Sequence, residues 1–197
     1  MHFKIAILIL AAGKSTRMDV TKQLLKVGST TLVGLAIENA KQSKTDSIYC
    51  ILGANAEKIK TSIKHYEIET IINPNYEQGL SASIISGINH ISSKDFDAAL
   101  IMLGDQPTVT SNYLNKLIDS FNKNPDKISV SNYNGKIGVP AIFPRNYFKQ
   151  LTQLKGDKGA RELLLSEKEN CIQLFHLPFI DIDTEEEYQN FLTSIKK

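Results

Sequence analysis

The sequence predicts an α/β protein built on a three-layer, doubly wound and mostly parallel sheet, with a short antiparallel hairpin inserted near it. Apolar runs rich in Ile, Val and Leu alternate with stretches of helical period along most of the 197 residues. The alternation is interrupted by Asn134-Gly135 between two apolar runs, which is a strong type I′ hairpin signal. Because the sequence contains no repeat, linker or low-complexity segment, residues 1–197 are predicted to form a single domain.

Four short apolar runs in the first part of the chain are predicted as buried strands, over residues 5–10, 48–52, 70–72 and 98–103. Helices are predicted after them, because apolar residues recur there at spacings of three and four. They cover residues 31–42, the region of Ile59 and Ile63, a stretch beginning near Leu80, and the region of Leu114 and Leu117 with Thr110 or Ser111 as N-cap. This order is typical of parallel βαβ units.

The second part of the chain departs from this alternation. It is predicted to contain hairpin strands over residues 128–133 and 136–143, helices over 145–154 and 158–169, and a strand over 171–177. A final helix begins at Glu185, because Thr184 and Glu187 have the spacing of a capping box. Asp183 is predicted to end a strand just before this helix.

The composition argues against several classes of function. The 23 basic and 21 acidic side chains give a net charge of +2, which provides no broad basic surface for nucleic acid or an anionic membrane. Cys50 and Cys171 lie far apart in apolar runs, which favours two buried, reduced thiols over a disulfide or a metal site. The apolar run 5–12 is too short to span a bilayer, has no convincing small-residue cleavage site and is followed at once by Gly13, Lys14 and Arg17. We therefore expect a cytoplasmic protein with neither a nucleic-acid nor a membrane partner.

The segment after the first predicted strand contains Gly13-Lys14-Ser15, the last residues of a P-loop motif. A P-loop also needs a glycine five residues before Gly13, where this chain has Leu8. No further glycines follow at the spacing of a dinucleotide fingerprint. Small residues at the end of the strand would still let the backbone approach a ligand closely, with Arg17 and Lys22 folded over a triphosphate. The alternative is a glycine turn with solvated basic side chains.

The run L-A-A-G-K-S-T-R-M from Leu10, followed by Lys22, resembles the L-A-[AG]-G-x-S-x-R-M-G-x-x-K signature of the molybdenum cofactor cytidylyltransferases and guanylyltransferases, the MobA-like NTP transferases. Four further segments are similar to motifs of that family and follow in the same order. They are Asn73-Pro74 with Gly79, Ser81 and Ser83; Gly104-Asp105-Gln106-Pro107; G-D-K-G-A-R at 156–161; and Asp181-Ile182-Asp183-Thr184. The ordered set is specific and spans nearly the whole chain.

This resemblance implies a Rossmann-like fold of the nucleotide-diphospho-sugar transferase type and a Mg²⁺-dependent transfer of a nucleoside monophosphate. Lys22, Arg17 and Asp105 are the catalytic residues that it implies, and Asp105 and Asp183 are the implied Mg²⁺ ligands. Asp105 follows a buried strand at the edge where open α/β sheets bind ligands, and Mg²⁺ takes one or two carboxylates. For both aspartates the alternative is a turn or helix-capping role. Asp181 is a poorer candidate ligand.

Nucleotide binding is implied for residues of the first motif and of the glycine–serine segment, namely Leu10, Ala11, Ala12, Gly13, Lys14, Ser15, Gly79 and Ser83. Backbone N–H groups of residues 12–15 are available to phosphate oxygens, as in an anion-binding nest. The family's guanylyltransferases tend to L-A-G-G where its cytidylyltransferases have L-A-A-G. Ala12 therefore favours CTP over GTP, and its methyl group would also leave less room for a purine.

The implied acceptor is a small phosphorylated molecule, molybdopterin or its molybdenum-bound form, with a molybdoenzyme or its chaperone as a protein partner. Two residues depart from the family pattern. Asp19 stands where the first motif usually has glycine, and Val139 stands where the cytidylyltransferases commonly have histidine, in the acceptor region. The alternatives are transfer to a sugar phosphate or an alcohol phosphate, and a non-catalytic nucleotide-binding module.

Overall fold

The computed structural model describes residues 3–15, 18, 20–133, 135–175 and 180–195. Its strands are, in chain order, β1 (Ile5–Ala11), β2 (Lys26–Val27), β3 (Thr30–Thr31), β4 (Ser47–Leu52), β5 (Glu69–Ile72), β6 (Ala98–Leu103), β7 (Ile128–Tyr133), β8 (Lys136–Pro144) and β9 (Cys171–Phe175). The main sheet has seven strands in the order β5-β4-β1-β6-β8-β7-β9, and β2 and β3 form a separate two-stranded antiparallel sheet.

The α-helices are α1 (Leu32–Lys41), α2 (Ala56–Ile63), α3 (Leu80–Ser92), α4 (Ser111–Lys123), α5 (Phe148–Leu151), α6 (Arg161–Ser166) and α7 (Glu185–Ser194). Short 3₁₀ helices also occur, and the one at Lys22–Leu24 matters for the site described below. Thr31 caps α1 and Thr110 caps α4, each accepting a hydrogen bond from a backbone N–H two or three residues into the helix.

Strand β1 is central to the parallel part of the sheet. It pairs in parallel with β4 on one side and β6 on the other, so that Ile7 lies opposite both Ile48 and Leu100. In the main sheet, the chain passes from β1 to β4 on one side and from β6 to β7 and β8 on the other, which makes the carboxyl ends of β1 and β6 a topological switch point. Strand β8 runs antiparallel to both of its neighbours, β6 and β7.

Helices cover both faces of the sheet, because side chains of β1 alternate between two cores. Ile5, Ile7 and Ile9 point to a core shared with α1, α2 and α4, where each of the three is almost completely buried. Ala6 and Leu8 point to the opposite core, which α3, α5 and α6 cover. The three layers and the mostly parallel sheet confirm the predicted fold class.

The hairpin differs from its prediction in its position. Strands β7 and β8 form the expected antiparallel pair, and Gly135 has the positive φ (78°) that such a turn favours. Both strands are members of the main sheet rather than an addition beside it. Asn134 lies outside the described residues.

Several element boundaries also differ. The helix predicted over 145–154 is a 3₁₀ turn, Arg145–Tyr147, followed by the four-residue α5. The helix predicted from 158 begins at Arg161, because Gly156 and Gly159 adopt positive φ and interrupt a helical path. Asp183 precedes α7 without ending a strand: residues 180–183 form neither helix nor strand, and β9 ends at Phe175. The two-residue strands β2 and β3 carry no strand pattern in the sequence.

Helix α7, near the end of the described chain, packs against residues from its first part. Its Tyr188 and Phe191 pack against Val27 and Leu32, and Tyr188 Oη donates a hydrogen bond to the carbonyl of Lys26 at 2.7 Å. This packing holds the residues before α7 beside the Lys22 turn.

Both cysteines are free, Cys50 buried and Cys171 partly exposed. In the part of the chain that the structure describes, no helix combines the length and apolarity needed to cross a membrane.

Candidate active site

A cavity of about 700 Å³ opens at the carboxyl ends of β1 and β6, at the switch point of the sheet. Its wall contains most of the residues that the sequence predicted for the site. They are Leu10, Ala11, Ala12, Gly13, Lys14, Lys22, Gly79, Ser83, Asp105 and Asp183. The structure does not bring Ser15 to this wall, and Arg17 and Asp19 lie outside the described residues.

The end of β1 is held in place by backbone contacts. Ala12 is 5% exposed at the cavity wall, and its carbonyl accepts a hydrogen bond from the Ala54 N–H at 3.0 Å. The carbonyl of Gly13 accepts a hydrogen bond from Gln23 Nε2 at 3.0 Å. Gln23 is buried, and nothing in its sequence context predicted a role in the site. These contacts fix the backbone that would face phosphate oxygens.

Ser15 does not line the cavity but forms hydrogen bonds with residues that do. Its φ is +57°, its Oγ accepts a hydrogen bond from the Lys22 N–H at 3.1 Å, and it donates one to Gln23 Oε1 at 3.2 Å. The hydroxyl therefore links the loop after β1 to the turn that begins at Lys22.

Lys22 is the centre of an acidic cluster. Its Nζ lies 2.5 Å from Asp105 Oδ2 and 2.8 Å from Asp183 Oδ1. Burial disfavours the charge on this amine, but attraction to both carboxylates and the hydrogen bonds with them outweigh burial and raise the pKa of Lys22 above its ordinary value. Lys22 is therefore a cation throughout the physiological pH range.

Asp181 joins the same cavity, although the sequence ranked it as a poorer candidate. Its Oδ1 accepts a hydrogen bond from Gln106 Nε2 at 2.8 Å. Desolvation and, more weakly, repulsion from Asp105 and Asp183 raise the pKa of Asp181, although the hydrogen bond from Gln106 opposes the change. The carbonyl of Asp105 accepts a hydrogen bond from the Ile182 N–H at 3.1 Å, which joins the two aspartate segments.

The opposite wall is formed by the start of α3. Gly79 has a φ of +95° and precedes the first turn, and the Ser83 side chain accepts a hydrogen bond from Asn73 Nδ2 at 3.1 Å. Asp157 lies against Gly79 and lines the cavity. The segments containing Asn73, Gly79 and Asp157 are therefore brought together in the structure.

A second cavity of about 200 Å³ adjoins the first and shares Leu10, Leu80 and Leu103 with it. Most of its remaining wall is apolar. Three basic side chains also line it, those of Lys136, Lys158 and Arg161. Val139, the residue noted above as a departure from the histidine common in the cytidylyltransferases, lies in this wall.

The donor set of the first cavity suits a hard divalent cation. Asp105 Oδ1 is buried and has no hydrogen-bond partner among the described residues, so one carboxylate oxygen is left for a further ligand. Within the described ranges, no three His, Cys, Asp or Glu side chains form a ready-made cage. A site with two carboxylates that relies on phosphate and water for its other ligands is the kind that Mg²⁺ uses. Asp105 and Asp183 therefore fit the metal that the resemblance implies.

Comparisons with known proteins identify the family of this chain. The family model described as "MobA-like NTP transferase domain" matches residues 7–171. The purine catabolism protein PucB of Bacillus subtilis is 28% identical over 190 residues, which cover 91% of each chain. The structure is similar to that of Rv0371c from Mycobacterium tuberculosis, with a TM-score of 0.85 and 28% identity over 97% of this chain and 98% of that one.

A homologue of Rv0371c from Mycobacterium sp. strain JC1 gives a TM-score of 0.86 at 28% identity, covering 98% of this chain and 96% of that one. Rv0371c has also been crystallised in complex with manganese. The family match extends from the first strand to the start of β9 and includes the loop after β1, Lys22 and Asp105. The chain belongs to the family of MobA-like NTP transferases and is a nucleotidyltransferase.

Proposed function

We propose that this enzyme transfers CMP from CTP to a small phosphorylated acceptor, molybdopterin or its molybdenum-bound form, and releases pyrophosphate. We further propose that the reaction depends on Mg²⁺ and that residues 1–197 act as one domain. The observation that carries the proposal is the position of Lys22, bonded to Asp105 and Asp183 at the wall of a cavity large enough for a nucleotide. The ammonium group supports a role in stabilising phosphate charge, and the two carboxylates beside it support a role in binding a metal.

In this reaction an oxygen of the acceptor phosphate bonds to the α-phosphorus of CTP, and the bond from that phosphorus to the β-bridging oxygen breaks. The acceptor phosphate is already an anion near neutral pH, since its second pKa is about 6. It therefore needs no general base. The requirement is to neutralise the charge on the α-phosphate and on the departing pyrophosphate.

Lys22 and the backbone N–H groups of residues 12–14 are the groups of this chain that would supply that neutralisation. Asp105 and Asp183 would hold Mg²⁺, which when bound polarises the phosphoryl group and orients it for in-line attack. The manganese complex of Rv0371c supports a divalent metal in this family. Arg17 is proposed to add a second cation to the phosphates.

The selectivity for CTP is proposed to depend on the end of β1. Ala12 is buried at the cavity wall, where its methyl group takes up space beside the backbone of Leu10 and Ala11. A pyrimidine needs less room than a purine, which supports CTP over GTP. Gly79 and Ser83 on the opposite wall are proposed to face the ribose and base.

The second cavity is the proposed acceptor site. Its apolar wall suits a ring system, and Lys136, Lys158 and Arg161 at its rim suit an anionic substituent such as a phosphate. It adjoins the nucleotide cavity through Leu10 and Leu103, so an acceptor there lies next to a bound triphosphate. A molybdoenzyme or its chaperone is the proposed recipient of the product, and the cytoplasm is the proposed location.

The proposal is tested first by thermal unfolding of the purified protein with CTP, GTP, ATP or UTP, each with and without Mg²⁺. A ligand that binds the native state raises the unfolding temperature by mass action. We expect the largest rise with CTP and Mg²⁺ together. A larger rise with GTP would reverse the base assignment, and no rise with any nucleotide would contradict the proposal.

Pyrophosphate release with molybdopterin as acceptor tests the transfer itself. Lys22→Ala should lower kcat by about 10²–10³-fold, as expected when a group that stabilises transition-state charge is lost, while nucleotide binding is weakened but measurable. Lys26→Ala, an exposed lysine outside the cavity, is the control and should match the wild type. Unchanged turnover in Lys22→Ala would refute the role of Lys22. Turnover with a sugar phosphate or an alcohol phosphate, but not with molybdopterin, would replace the proposed acceptor.

A further inference from the structure

The acidic cluster of the active site already contains a cation, the ammonium group of Lys22. It bonds one oxygen of Asp105 and one of Asp183, the two carboxylates that fit a divalent metal. The Lys22 side chain is 13% exposed and that of Asp105 is 17% exposed, so water screens their attraction weakly. Lys22 therefore occupies the electrostatic position that a metal would take.

A divalent ion in this cluster would lie close to that ammonium group. Mg²⁺ binds carboxylate oxygens at about 2.1 Å, so an ion on Asp105 Oδ2 would be no farther than about 4.6 Å from Lys22 Nζ. The remaining oxygen, Asp105 Oδ1, is buried and belongs to the same carboxylate, so an ion bound there would still lie in the same weakly screened cluster as the ammonium group. Two cations so close together repel each other strongly where most water is excluded.

A triphosphate changes this balance because it brings several negative charges into the cavity that Lys22 lines. Its oxygens can accept the hydrogen bonds that Lys22 now donates to Asp105 and Asp183. Each hydrogen bond that moves to phosphate removes the ammonium group from a carboxylate oxygen that fits the metal. Metal binding and nucleotide binding are then coupled, and the coupling acts equally in both directions.

We propose that Lys22 is a resident counter-ion that keeps divalent metal out of the aspartate cluster until a nucleoside triphosphate draws its ammonium group away. The inference rests on the proposed function for the identity of the site. It adds an order of events, since the metal enters with the nucleotide rather than before it. It also gives Lys22 a role in the free enzyme, separate from its role in the transfer step.

The test measures Mn²⁺ binding in the absence of nucleotide, with free Mn²⁺ followed by EPR spectroscopy. Lys22→Met removes the charge and retains most of the side-chain volume. We expect this variant to bind Mn²⁺ at least about tenfold more tightly than the wild type, a typical size for coupling between two sites. The matched control is Lys14→Met, because Lys14 also lines the cavity but pairs with Glu77 instead of with the cluster. Its Mn²⁺ affinity should equal that of the wild type.

Equal or weaker Mn²⁺ binding by Lys22→Met would overturn the proposal. Equal tightening in Lys14→Met would also overturn it, because the effect would then be a general loss of positive charge. If Lys22→Met does not fold without metal, its unfolding temperature is followed against Mn²⁺ concentration. Folding at Mn²⁺ concentrations too low to bind the wild type supports the proposal, and folding only at concentrations that also bind the wild type refutes it. Because no nucleotide is present, an active transferase that fails this test would refute the inference and leave the proposed function intact.

Discussion

Gly79 combines a backbone conformation and a close contact that both require glycine. Its φ is +95°, and a Cβ at this position would lie 2.1 Å from Asp157 Oδ1 and 2.9 Å from the carbonyl carbon of Gly156. Gly79→Ala should therefore lower the free energy of unfolding by about 1–3 kcal/mol through backbone strain, with an added cost for displacing Asp157. It should also weaken nucleotide binding, because both residues line the cavity. Urea unfolding and CTP titration measure the two effects.

Gly28→Ala is the control for backbone strain, because Gly28 has a φ of +58° and a Cβ added there would meet no atom within 4 Å. This variant should lose stability without losing affinity for CTP. Adding Asp157→Gly to Gly79→Ala should recover part of the stability, since the two sites share the clash. If Asp157→Gly gives no recovery, the contact with Asp157 is not the cause of the loss.

Much of the candidate site could be predicted at the residue scale from ordered short motifs. Lys22, Asp105 and Asp183 were predicted from such motifs, and the structure places all three within one cluster. Gln23 could not be predicted, because a buried glutamine that holds a loop carries no sequence signal of its own. The proximity of Asp181 to the cluster depends on the path of the chain before α7, which no local pattern specifies.

At the scale of elements, the capping box at the start of α7 contributes to the stability of this helix and also contacts the backbone of Asp183 in the candidate site. Thr184 Oγ accepts a hydrogen bond from the Glu187 N–H, and Glu187 Oε2 accepts hydrogen bonds from the N–H groups of Asp183 and Thr184. Thr184→Ala should lower the free energy of unfolding by about 1 kcal/mol, the usual cost of losing an N-cap. It should also reduce pyrophosphate release, because the cap fixes the backbone of a proposed metal ligand.

Thr110→Ala provides the comparison, because Thr110 caps α4 through its side chain and does not line the active-site cavity. The two variants should lose similar stability in urea unfolding. Transfer activity should fall in Thr184→Ala alone. Equal activity in the two variants would show that the capping box supports the helix without positioning Asp183.

The helices and strands with a continuous pattern were predicted well, and the others were not. Helices α1, α3 and α4 and strands β1, β4 and β6 carry apolar runs or stripes long enough to identify them. Helices α5 and α6 are short segments bounded by 3₁₀ turns and by glycines with positive φ, so sequence periodicity overestimates their length. Strands β2 and β3 contain two residues each, too few for any alternation to be visible.

At the scale of the whole molecule, the position of the hairpin is the main feature that the sequence did not specify. The Asn134-Gly135 pattern predicts an antiparallel pair but contains no information on which strand it joins. Strand β8 pairs with β6, with Ile142 opposite Leu100. The hairpin that the sequence pattern predicts as an insertion therefore extends the main sheet. Strand β7 then pairs in parallel with β9, which brings the later part of the chain into the same sheet.

The shared sheet predicts that the chain unfolds as one cooperative unit, as proposed for a single domain. Cys50 in β4 and Cys171 in β9 report on two distant parts of the sheet. Burial raises the pKa of the Cys50 thiol to about 12, and burial together with Glu167 raises that of Cys171 to about 11. Near pH 8 both thiols should therefore react slowly in the native state and rapidly once unfolded, because the thiolate is the reactive form.

Pulsed thiol labelling across a urea series should give the same midpoint for Cys50 and Cys171, and far-UV circular dichroism should give that midpoint as well. CTP with Mg²⁺ should move all three midpoints upward together, because the proposed nucleotide site lies at the end of β1 and a bound ligand would stabilise the whole folded unit. The variants Cys50→Ala and Cys171→Ala assign each labelling signal to its residue. A lower midpoint for Cys171 that CTP leaves unchanged would show that the strands after β6 unfold separately, and the single-domain proposal would then be wrong.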